Sequence, residues 1–557
     1  MTDRVAAGDV RPAPDQAGGA APTLSEVLQR LEELNAIGVA LSQERDIERL
    51  LERILLAAKA ITHADGGTLY RMADDGQTLR FVILRTDSLG MAMGGSASEA
   101  VRFPDLPLHD ADGNANDSLV AAYAALHVQT VNIADAYAAQ TFDFSGTRQF
   151  DARTGYRTRS VLAIPLKQAN GNVLGVLQLI NAQPLGDGTV QSFSQADQSL
   201  AESLASQAAI ALSNRLLMAQ QEALFESFIN LINLAIDEKS PYTGGHCQRV
   251  PELTMMLVEA AARQTDGPLA TFTMDERDRY ELRIASLLHD CGKITTPVHV
   301  VDKATKLQTL YDRIGLIDTR FEVLKRDTEI EALRSQLDLR PCGNAHAEVK
   351  VRESCDEKLA QLDAARAFVR SMNEGRESTP EADIQRMRDI ACNYQWRNPE
   401  GLPVDFLDTD ELENLTVKSG TLTAKERSVI NHHIVATIRM LEQLPWPSHL
   451  RRVPEFAGGH HERMDGKGYP RGLTREHMSI PARAMGIADI FEALTASDRP
   501  YKLGMKLSQA MTILRKFRDN GHIDPDLYDV FVRERLYQRY AEQFLDPWQI
   551  DDVEPQA

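Results

Sequence analysis

Five segments in the C-terminal half of the chain carry side chains that could bind metal ions. They contain His246, the pair His289-Asp290, the pair His432-His433, the pair His460-His461, and Asp489. Imidazole and carboxylate are the ligand types that hold borderline divalent transition metals, and the carboxylate of a His-Asp pair can bridge two ions. A single buried histidine is more often a hydrogen-bonded core residue than a ligand, but so many together favour one shared site. The residue types therefore predict a two-metal hydrolase.

The residues around these side chains indicate how the chain positions them. An apolar helical face in residues 284–288 ends at His289, and His433 also lies in a helical pattern. The pair His460-His461 is followed by a glycine-rich loop, residues 465–470. Glycine allows a sharp turn or a close backbone approach, and proline fixes the direction in which the chain leaves. This loop is the most specific local signal in the sequence.

Together these motifs resemble those of an HD-GYP phosphodiesterase domain over most of residues 237–510. The matching motifs are His-Asp-Cys-Gly-Lys at 289–293, Gly-Tyr-Pro at 468–470 and Asp-Arg-Pro-Tyr-Lys at 498–502. The resemblance implies a domain that binds two, sometimes three, iron or manganese ions. It also implies hydrolysis of cyclic di-GMP, with pGpG and/or GMP as the product.

The resemblance further implies a role for each matching metal-binding side chain. One ion would be held by His246, His289, Asp290 and Asp489, and the second by His433, His460 and His461, with Asp290 bridging the two. A third ion would need an acidic ligand before the first histidine. Asp237 and Glu238 are both available there, and the sequence does not choose between them, so a binuclear site is expected.

Expected substrate contacts follow from the same resemblance. Lys293 matches the lysine that contacts the phosphate, so Asp290 and Lys293 are the expected catalytic residues. The other positions at which the family meets substrate correspond to Tyr469, Arg499 and Lys502, with Arg499 matching only when one extra residue is allowed in 493–497. No side-chain nucleophile is needed, because a water activated between two metals can attack phosphorus in line with the departing 3′ oxygen.

Two features depart from the common HD-GYP pattern. His289 and His433 are 144 positions apart, because residues 304–419 intervene; their alternating apolar steps predict a helical-hairpin insertion in an otherwise all-α domain. His432, next to His433, is an alternative ligand. His433 is preferred because the apolar pair at 440–441 matches the pair that follows the family's histidine.

The N-terminal half combines amphipathic helix with strand patterns. Residues 46–190 are predicted to form an α+β domain with an antiparallel sheet, with strand-like runs at 67–70, 79–83, 161–165 and 173–181 and a hairpin signal at 170–172. This region resembles a GAF domain through the segments 130–137, 154–160 and 175–181. The resemblance implies a sensory domain.

Cyclic-nucleotide-binding GAF domains often carry Asn-Lys followed by Phe and Asp-Glu. The corresponding residues here are Asn181-Ala182, Phe193 and Asp197-Gln198. The usual Lys-Asp ion pair cannot form, because the lysine is replaced. Two roles therefore stay open for this domain: binding of a regulatory ligand, and a purely structural, dimerising role.

Segments outside these two domains have simpler patterns. Residues 1–22 lack periodicity and are expected to be a disordered leader, 23–45 an N-terminal helix, 191–236 a linker helix, and 546–557 a tail after an HD-GYP domain at 237–545. The linker has the spacing of a coiled-coil seam at Leu217, Leu224, Phe228 and Leu231. The N-terminal helix could pair with its copy or pack on its own domain, and the linker could be a passive spacer. A homodimer through the N-terminal and linker helices is expected.

Composition narrows the class of partner. A formal net charge of -19 repels a phosphate backbone and argues against binding to a nucleic acid polymer, while a small phosphorylated substrate is compatible with locally concentrated positive charge. Neither a secretory signal nor an apolar run of about 18 residues is found, so a cytoplasmic protein without a membrane span is expected. Cys247 and Cys291, each next to a proposed ligand, are expected to be small buried fillers.

A function from a different class is a catalytically silent sensor or scaffold that binds a cyclic dinucleotide or a diguanylate cyclase. Degenerate members usually lose ligands, whereas all seven are retained here. The Gly-Tyr-Pro loop disfavours another HD-type hydrolase, and cyclic GMP-AMP remains an alternative substrate because the phosphodiester chemistry is the same. His/carboxylate ligation suits Fe, Mn and Zn, and the resemblance favours Fe or Mn.

Overall fold

The computed structural model describes residues 24–44, 46–97, 99–110, 112–183, 189–239, 245–340, 345–497 and 504–553. The chain divides into two compact units, Met1–Leu224 and Phe225–Ala557. The predicted leader at 1–22 lies outside the described residues. Among the helices that are described, none combines the length and apolar composition needed to cross a bilayer.

The first unit is built on a seven-stranded antiparallel sheet in the order β3-β2-β1-β7-β6-β5, with β4 paired to β2. The strands are β1 Ala64–Met72, β2 Thr78–Thr86, β3 Met91–Met93, β4 Leu106–Pro107, β5 Val131–Ile133, β6 Val161–Lys167 and β7 Val173–Ala182. Its first four helices are α1 Leu24–Gln43, α2 Ile47–Thr62, α3 Val120–His127 and α4 Ser145–Thr154. The four predicted strands lie in β1, β2, β6 and β7, which confirms the α+β prediction.

Alternating side chains of the sheet pack against helices on both of its faces. Leu162 and Ile164 of β6 belong to a core shared with α2 and the first part of the next helix, α5. Val161 and Ala163, the intervening residues, belong to a second core shared with α3. This alternation is the period-2 pattern of a strand buried on both faces.

Helix α5, Gln195–Lys239, is 45 residues long. The Ser194 hydroxyl accepts a hydrogen bond from the Asp197 N–H at 3.1 Å and donates one to the Asp197 carboxylate at 2.7 Å. Such reciprocal capping explains why the helix begins there. Leu217, Leu224 and Leu231 are 57–58% exposed along it.

In its described residues, the second unit is helical apart from one small sheet and the connecting segments. Its helices are α6 His246–Ala262, α7 Glu276–Leu288, α8 Val298–Val301, α9 Ile314–Leu339, α10 Ala345–Asn373, α11 Glu381–Asn393, α12 Thr409–Leu415, α13 Ala424–Glu442, α14 Val453–Gly458, α15 Ile480–Thr495, α16 Leu507–Asp519, α17 Pro525–Arg533 and α18 Leu536–Phe544. Helices α6, α7, α14 and α15 share one apolar core. This core carries the helices that bear the predicted metal ligands.

The predicted insertion contains the expected pair of long helices, α9 and α10. Arg366 Nε donates to Asp318 at 2.8 Å and Lys325 Nζ to Asp363 at 2.8 Å, so residue numbers rise on one helix as they fall on the other, which is antiparallel pairing. The turn expected at 341–344 lies outside the described residues. A two-stranded sheet, β8 Gln395–Arg397 and β9 Pro403–Asp405, was not expected in this all-α domain.

Candidate metal centre

Helix ends and helix faces deliver the predicted metal ligands to one place. His246 is the first residue of α6, and His289 follows the last residue of α7. Asp290 precedes the 3-10 helix Cys291–Thr295. His433 lies within α13, the pair His460-His461 follows α14, and Asp489 lies within α15.

Three of these side chains form a first cluster: His246, His289 and Asp290, whose ligand atoms lie within 4.8 Å of one another. His246 Nε2 is 3.1 Å from Asp290 Oδ2 and 3.3 Å from His289 Nε2. All three side chains are buried. Asp489 adjoins them, with its Oδ1 3.3 Å from His246 Nε2. Three donors thus face one another, and a fourth carboxylate lies beside His246.

A second cluster contains His433, His460 and His461, again with ligand atoms within 4.8 Å of one another. His461 Nε2 lies 3.2 Å from His433 Nε2. The neighbouring His432 is exposed, whereas His433 is buried. Of the two adjacent imidazoles, only that of His433 belongs to the cluster.

Asp290 joins the two clusters. Its Oδ2 faces His246, and its Oδ1 lies 3.2 Å from His433 Nε2. Among the described residues, Asp290 Oδ1 and His460 Nε2 are buried atoms that make no hydrogen bond. Leaving such atoms unsatisfied is costly, and a metal ion at each cluster would satisfy them. The donor set of imidazole and carboxylate therefore fits a pair of divalent transition-metal ions.

Three of the histidines are oriented by the backbone of their own segment. His289 Nδ1 contacts Ser286 O at 2.7 Å, His433 Nδ1 contacts Ile430 O at 2.6 Å, and His460 Nδ1 contacts Ala457 O at 2.6 Å. Because a carbonyl oxygen only accepts, each Nδ1 carries the proton. The Nε2 lone pair of each ring is thereby directed into the site, which is the arrangement that metal-binding histidines require.

His246 is oriented differently, by a carboxylate that the sequence reasoning missed. Its Nδ1 lies 2.5 Å from Glu492 Oε2, and Arg249 donates to Glu492 Oε1 at 2.6 and 2.8 Å. Glu492 is fully buried on α15, three residues after Asp489. That spacing, on a mostly apolar helix, places both carboxylates on one face, and it is the signal that could have identified Glu492.

The charges of the site shift several pKa values. Burial opposes ionisation of Asp290, but Lys293 and His289 hold its pKa well below the ordinary range. Burial, reinforced by His289, lowers the pKa of His460 to about 4. Burial, reinforced by His460, holds the pKa of His461 well below its ordinary value. Both of these imidazoles are therefore neutral at pH 7, the form that binds metal.

The structure describes two of the four residues that are expected to contact the substrate. Lys293 Nζ lies 2.5 Å from Asp290 Oδ2, and the Tyr469 ring stacks on His461 with centroids 4.9 Å apart and an interplanar angle of 27°. Both adjoin the histidine clusters. Arg499 and Lys502 lie outside the described residues.

A second missed carboxylate, Glu462, holds the Gly-Tyr-Pro loop in place. Its Oε1 accepts from Arg471 N at 2.7 Å and its Oε2 from Leu473 N at 2.9 Å. Gly468 is required for the close approach, because a Cβ there would lie 2.4 Å from Arg463 N. Tyr469 N itself donates to His461 O at 3.2 Å, which holds Tyr469 beside His461.

The two cysteines next to proposed ligands are buried free thiols. Burial raises the pKa of Cys247 to about 12 and that of Cys291 to about 11. A thiol with such a pKa is not a ready metal ligand or nucleophile at neutral pH. Their burial agrees with the prediction that they are fillers.

Comparisons with known proteins identify two domains. Residues 46–212 match the family described as GAF domain, and residues 410–527 match the family described as HD domain. HD domains are a metal-dependent hydrolase family.

Similar curated proteins match about a quarter of this chain or less. A 3′3′-cGAMP-specific phosphodiesterase of Vibrio cholerae is 39% identical over 140 residues, covering 25% of this chain and 32% of that protein. A cyclic di-GMP phosphodiesterase of Pseudomonas aeruginosa is 39% identical over 116 residues, covering 21% and 27%. Another of Thermotoga maritima is 31% identical over 121 residues, covering 22% and 32%. The chain thus spans about a third or less of the length of these relatives.

Proposed function

We propose that this chain, in which a GAF domain precedes an HD domain, is a metal-dependent phosphodiesterase that hydrolyses cyclic di-GMP. The observation that carries the proposal is the pair of buried histidine clusters joined by the two oxygens of Asp290. Three similar proteins bear names of cyclic-dinucleotide phosphodiesterases. Their names support the substrate class for the matched part of the chain.

Two divalent ions, iron or manganese, would be held by the seven side chains. His246, His289, Asp290 and Asp489 would hold one, and His433, His460 and His461 the other, with Asp290 shared. Bound there, the ions would activate a water for in-line attack on phosphorus and offset the developing negative charge. Nitrogen and oxygen donors without thiolate are compatible with either metal.

The chain's own residues would orient the substrate. The Lys293 ammonium, beside Asp290, would contact a phosphate oxygen and offset its charge as the transition state forms. Tyr469, held against His461, offers an aromatic surface at the mouth of the site. Arg499 and Lys502 complete the proposed substrate contacts. The backbone-anchored imidazoles keep their geometry without reorganisation during the reaction.

The GAF domain would regulate this activity. Its motif residues make structural hydrogen bonds: Asn181 Oδ1 accepts from Arg159 N at 2.7 Å, and Asn181 Nδ2 donates to Arg157 O at 2.9 Å. Asp197 caps α5 through Ser194. These structural contacts support a domain that transmits a conformational change to the second unit or assembles the dimer. A homodimer through α1 and α5 is part of the proposal, supported by the exposed apolar residues of α5.

The test combines metal analysis with turnover. Asp290→Asn keeps the shape of the side chain but removes its charge, so we expect loss of both ions and of cyclic di-GMP hydrolysis, with circular dichroism unchanged. His289→Ala should behave similarly. His432→Ala is the matched control, because this imidazole is exposed and outside the cluster; it should retain metal and activity.

Elemental analysis of anaerobically purified protein and product chromatography would measure these effects. Full turnover by Asp290→Asn would contradict the assignment. Metal-loaded wild-type protein that binds cyclic di-GMP or a diguanylate cyclase without turnover would replace it with the scaffold function. Faster turnover of cyclic GMP-AMP would change the substrate and leave the site assignment intact.

A further inference from the structure

The last residue of helix α5 contacts the 3-10 helix that carries Lys293. Lys239 Nζ donates to the main-chain oxygen of Lys293 at 3.3 Å and to that of Ile294. The Lys293 oxygen also accepts from Thr296 N at 3.0 Å, the backbone cap of Cys291–Thr295, so Lys239 adds a second donor to this oxygen and one to Ile294 O near the carboxyl end. A cation at this end interacts favourably with the negative end of the helix.

Packing fixes the face of α5 from which Lys239 projects. Ile229 and Ile236 are each 2% exposed in the core of the second unit, and the Phe225 ring contacts the Trp446 ring at 6.1 Å between centroids. Residues three or four apart in sequence share a helix face, so Lys239 lies on the face that is already buried at Ile236. The ammonium therefore reaches the 3-10 helix from a well-anchored turn.

The same 3-10 helix has a second contact, with α13. Gly292 N donates to Thr437 Oγ1 at 2.9 Å, and a Cβ at position 292 would lie 2.0 Å from His433 O. The segment between Asp290 and Lys293 therefore rests directly on the helix that bears a predicted ligand. Its main chain is held from α13 by Gly292 and from α5 by Lys239.

We propose that Lys239 is a positioning residue for the reaction. By holding the carbonyl end of the 3-10 helix, it sets where Lys293 meets the phosphate and where Asp290 stands between the histidine clusters. This role for Lys239 rests on the proposed phosphodiesterase function and extends it to a residue outside the histidine clusters. The end of α5 becomes part of the support of the site, so a displacement of α5 alters turnover.

Substitution of Lys239 separates positioning from folding. Lys239→Met keeps most of the aliphatic stem and removes the ammonium, so we expect kcat to fall about tenfold or more, with KM and metal content within about twofold of wild type. Lys239→Arg retains a cation with several donors and should restore most of kcat. Lys516→Met removes the same charge from an exposed position on α16 and serves as the matched control.

Hydrogen exchange of the full chain gives a readout that does not depend on turnover. In Lys239→Met, exchange should rise in peptides covering 291–296, stay unchanged in peptides of α13, and return to wild-type rates in Lys239→Arg. Equal exchange and equal kcat in Lys239→Met and Lys516→Met would refute the proposal. A rise in exchange throughout the second unit, without rescue by arginine, would assign Lys239 a general structural role and also refute it.

The two proposals fail in distinguishable ways. If the wild-type chain does not hydrolyse cyclic dinucleotides, the proposed function is wrong, yet the exchange rates of 291–296 still decide whether Lys239 holds this segment. If wild type is active and Lys239→Met behaves as Lys516→Met does, the function stands and the positioning role is wrong.

Discussion

The imidazole of His246 is oriented by a buried carboxylate, whereas His289, His433 and His460 are oriented by backbone carbonyls. The partner, Glu492, is held in turn by two hydrogen bonds from Arg249. A carboxylate behind a ligating histidine fixes the tautomer and raises the basicity of the ring. The structure thus gives His246 a stronger electrostatic support than the other imidazoles.

Replacing Glu492 by glutamine should weaken metal binding without removing a ligand. We expect the affinity for one of the two ions to fall by about 10- to 100-fold, the range typical for loss of such a partner, as measured by competition with a chelator. Glu281→Gln is the matched control, because Glu281 is also buried and accepts hydrogen bonds from Arg452. Equal metal affinities in the two variants would show that Glu492 has no such role.

The contact between His246 and Glu492 predicts how the stability of the metal-free protein changes with pH. Burial lowers the pKa of His246, but Glu492 and Asp290 outweigh it and raise the pKa from 6.5 to about 9. The folded state therefore binds this proton more tightly than the unfolded state does. The contribution of protonated His246 to the free energy of unfolding is thus complete below pH 6.5 and is lost as pH rises through about 9. His460 and His461 have lowered pKa values, so their effect falls below pH 6.5.

In chelator-treated protein, the free energy of unfolding of the second unit should fall by up to about 3 kcal/mol between pH 6.5 and 9. Tryptophan fluorescence during urea unfolding is a suitable probe, because all three tryptophans, residues 396, 446 and 548, are in this unit. Glu492→Gln should flatten the profile. A wild-type profile that is already flat over this range would contradict the assigned pair.

The HD-GYP-like motifs were enough to name seven side chains that lie close together in the structure; their role as metal ligands stays a prediction. Each lies beside a distinctive neighbour, such as the aspartate after His289 or the glycine-rich loop after His461. Glu492 and Glu462 were missed, because glutamate is usually exposed, and a sequence does not show the tertiary partners that allow it to be buried. Their roles depend on Arg249 and on the backbone of 471–473, which are distant in sequence.

At the scale of elements, helix α5 carries the feature that bears on assembly. Leu217, Leu224 and Leu231 follow one another at seven-residue intervals, and Phe228 adds an intervening apolar position. All four side chains are 56–58% exposed. A helix with such a stripe buries it by pairing with a second helix. We therefore expect the stripe to face its copy in a homodimer.

Replacing two of these leucines should separate the protomers. In Leu217→Asp with Leu224→Asp, each copy would place carboxylates in an apolar seam. We expect this variant to be a monomer, and wild type a dimer, by light scattering coupled to gel filtration at micromolar concentration. Ala219→Asp adds a charge at an exposed position on the opposite side of the helix and should remain dimeric. A dimeric double variant would exclude this seam.

Long helices with a periodic apolar pattern were predictable from the sequence. Short strands and contacts between residues far apart in sequence were not. Helices α9 and α10 follow from their alternating apolar steps, whereas β8 and β9 have three residues each, too few to produce a period. Lys303, just before the insertion, contacts Asn414 within it at 2.7 Å and both carboxylate oxygens of Glu426 beyond it at 2.8 Å. A buried lysine cannot be anticipated from a pattern, because its burial depends on a partner 123 positions away.

At the scale of the whole molecule, net charge and site charge have opposite consequences for an anionic substrate. The chain carries a formal charge of -19, which repels phosphates at long range. Two bound divalent ions, together with Lys293, would supply concentrated positive charge within a few ångströms of the reacting phosphate. Attraction of substrate is thus expected to be local, and repulsion to be spread over the molecule.

The dependence of kcat/KM on salt concentration should distinguish local attraction of the substrate from long-range repulsion. At about 0.1 M salt, exposed charges more than about 10 Å apart are largely screened, while contacts inside a buried site are screened much less. We therefore expect kcat/KM for cyclic di-GMP to change by less than about threefold between about 0.05 and 0.3 M salt. A nucleic-acid-binding surface would instead lose affinity steeply over this range, because counterions are released from the polymer. A single-stranded RNA of about 20 nucleotides is the matched probe: the chain should neither bind nor cleave it, and salt-sensitive RNA binding would contradict a site built for a small cyclic dinucleotide.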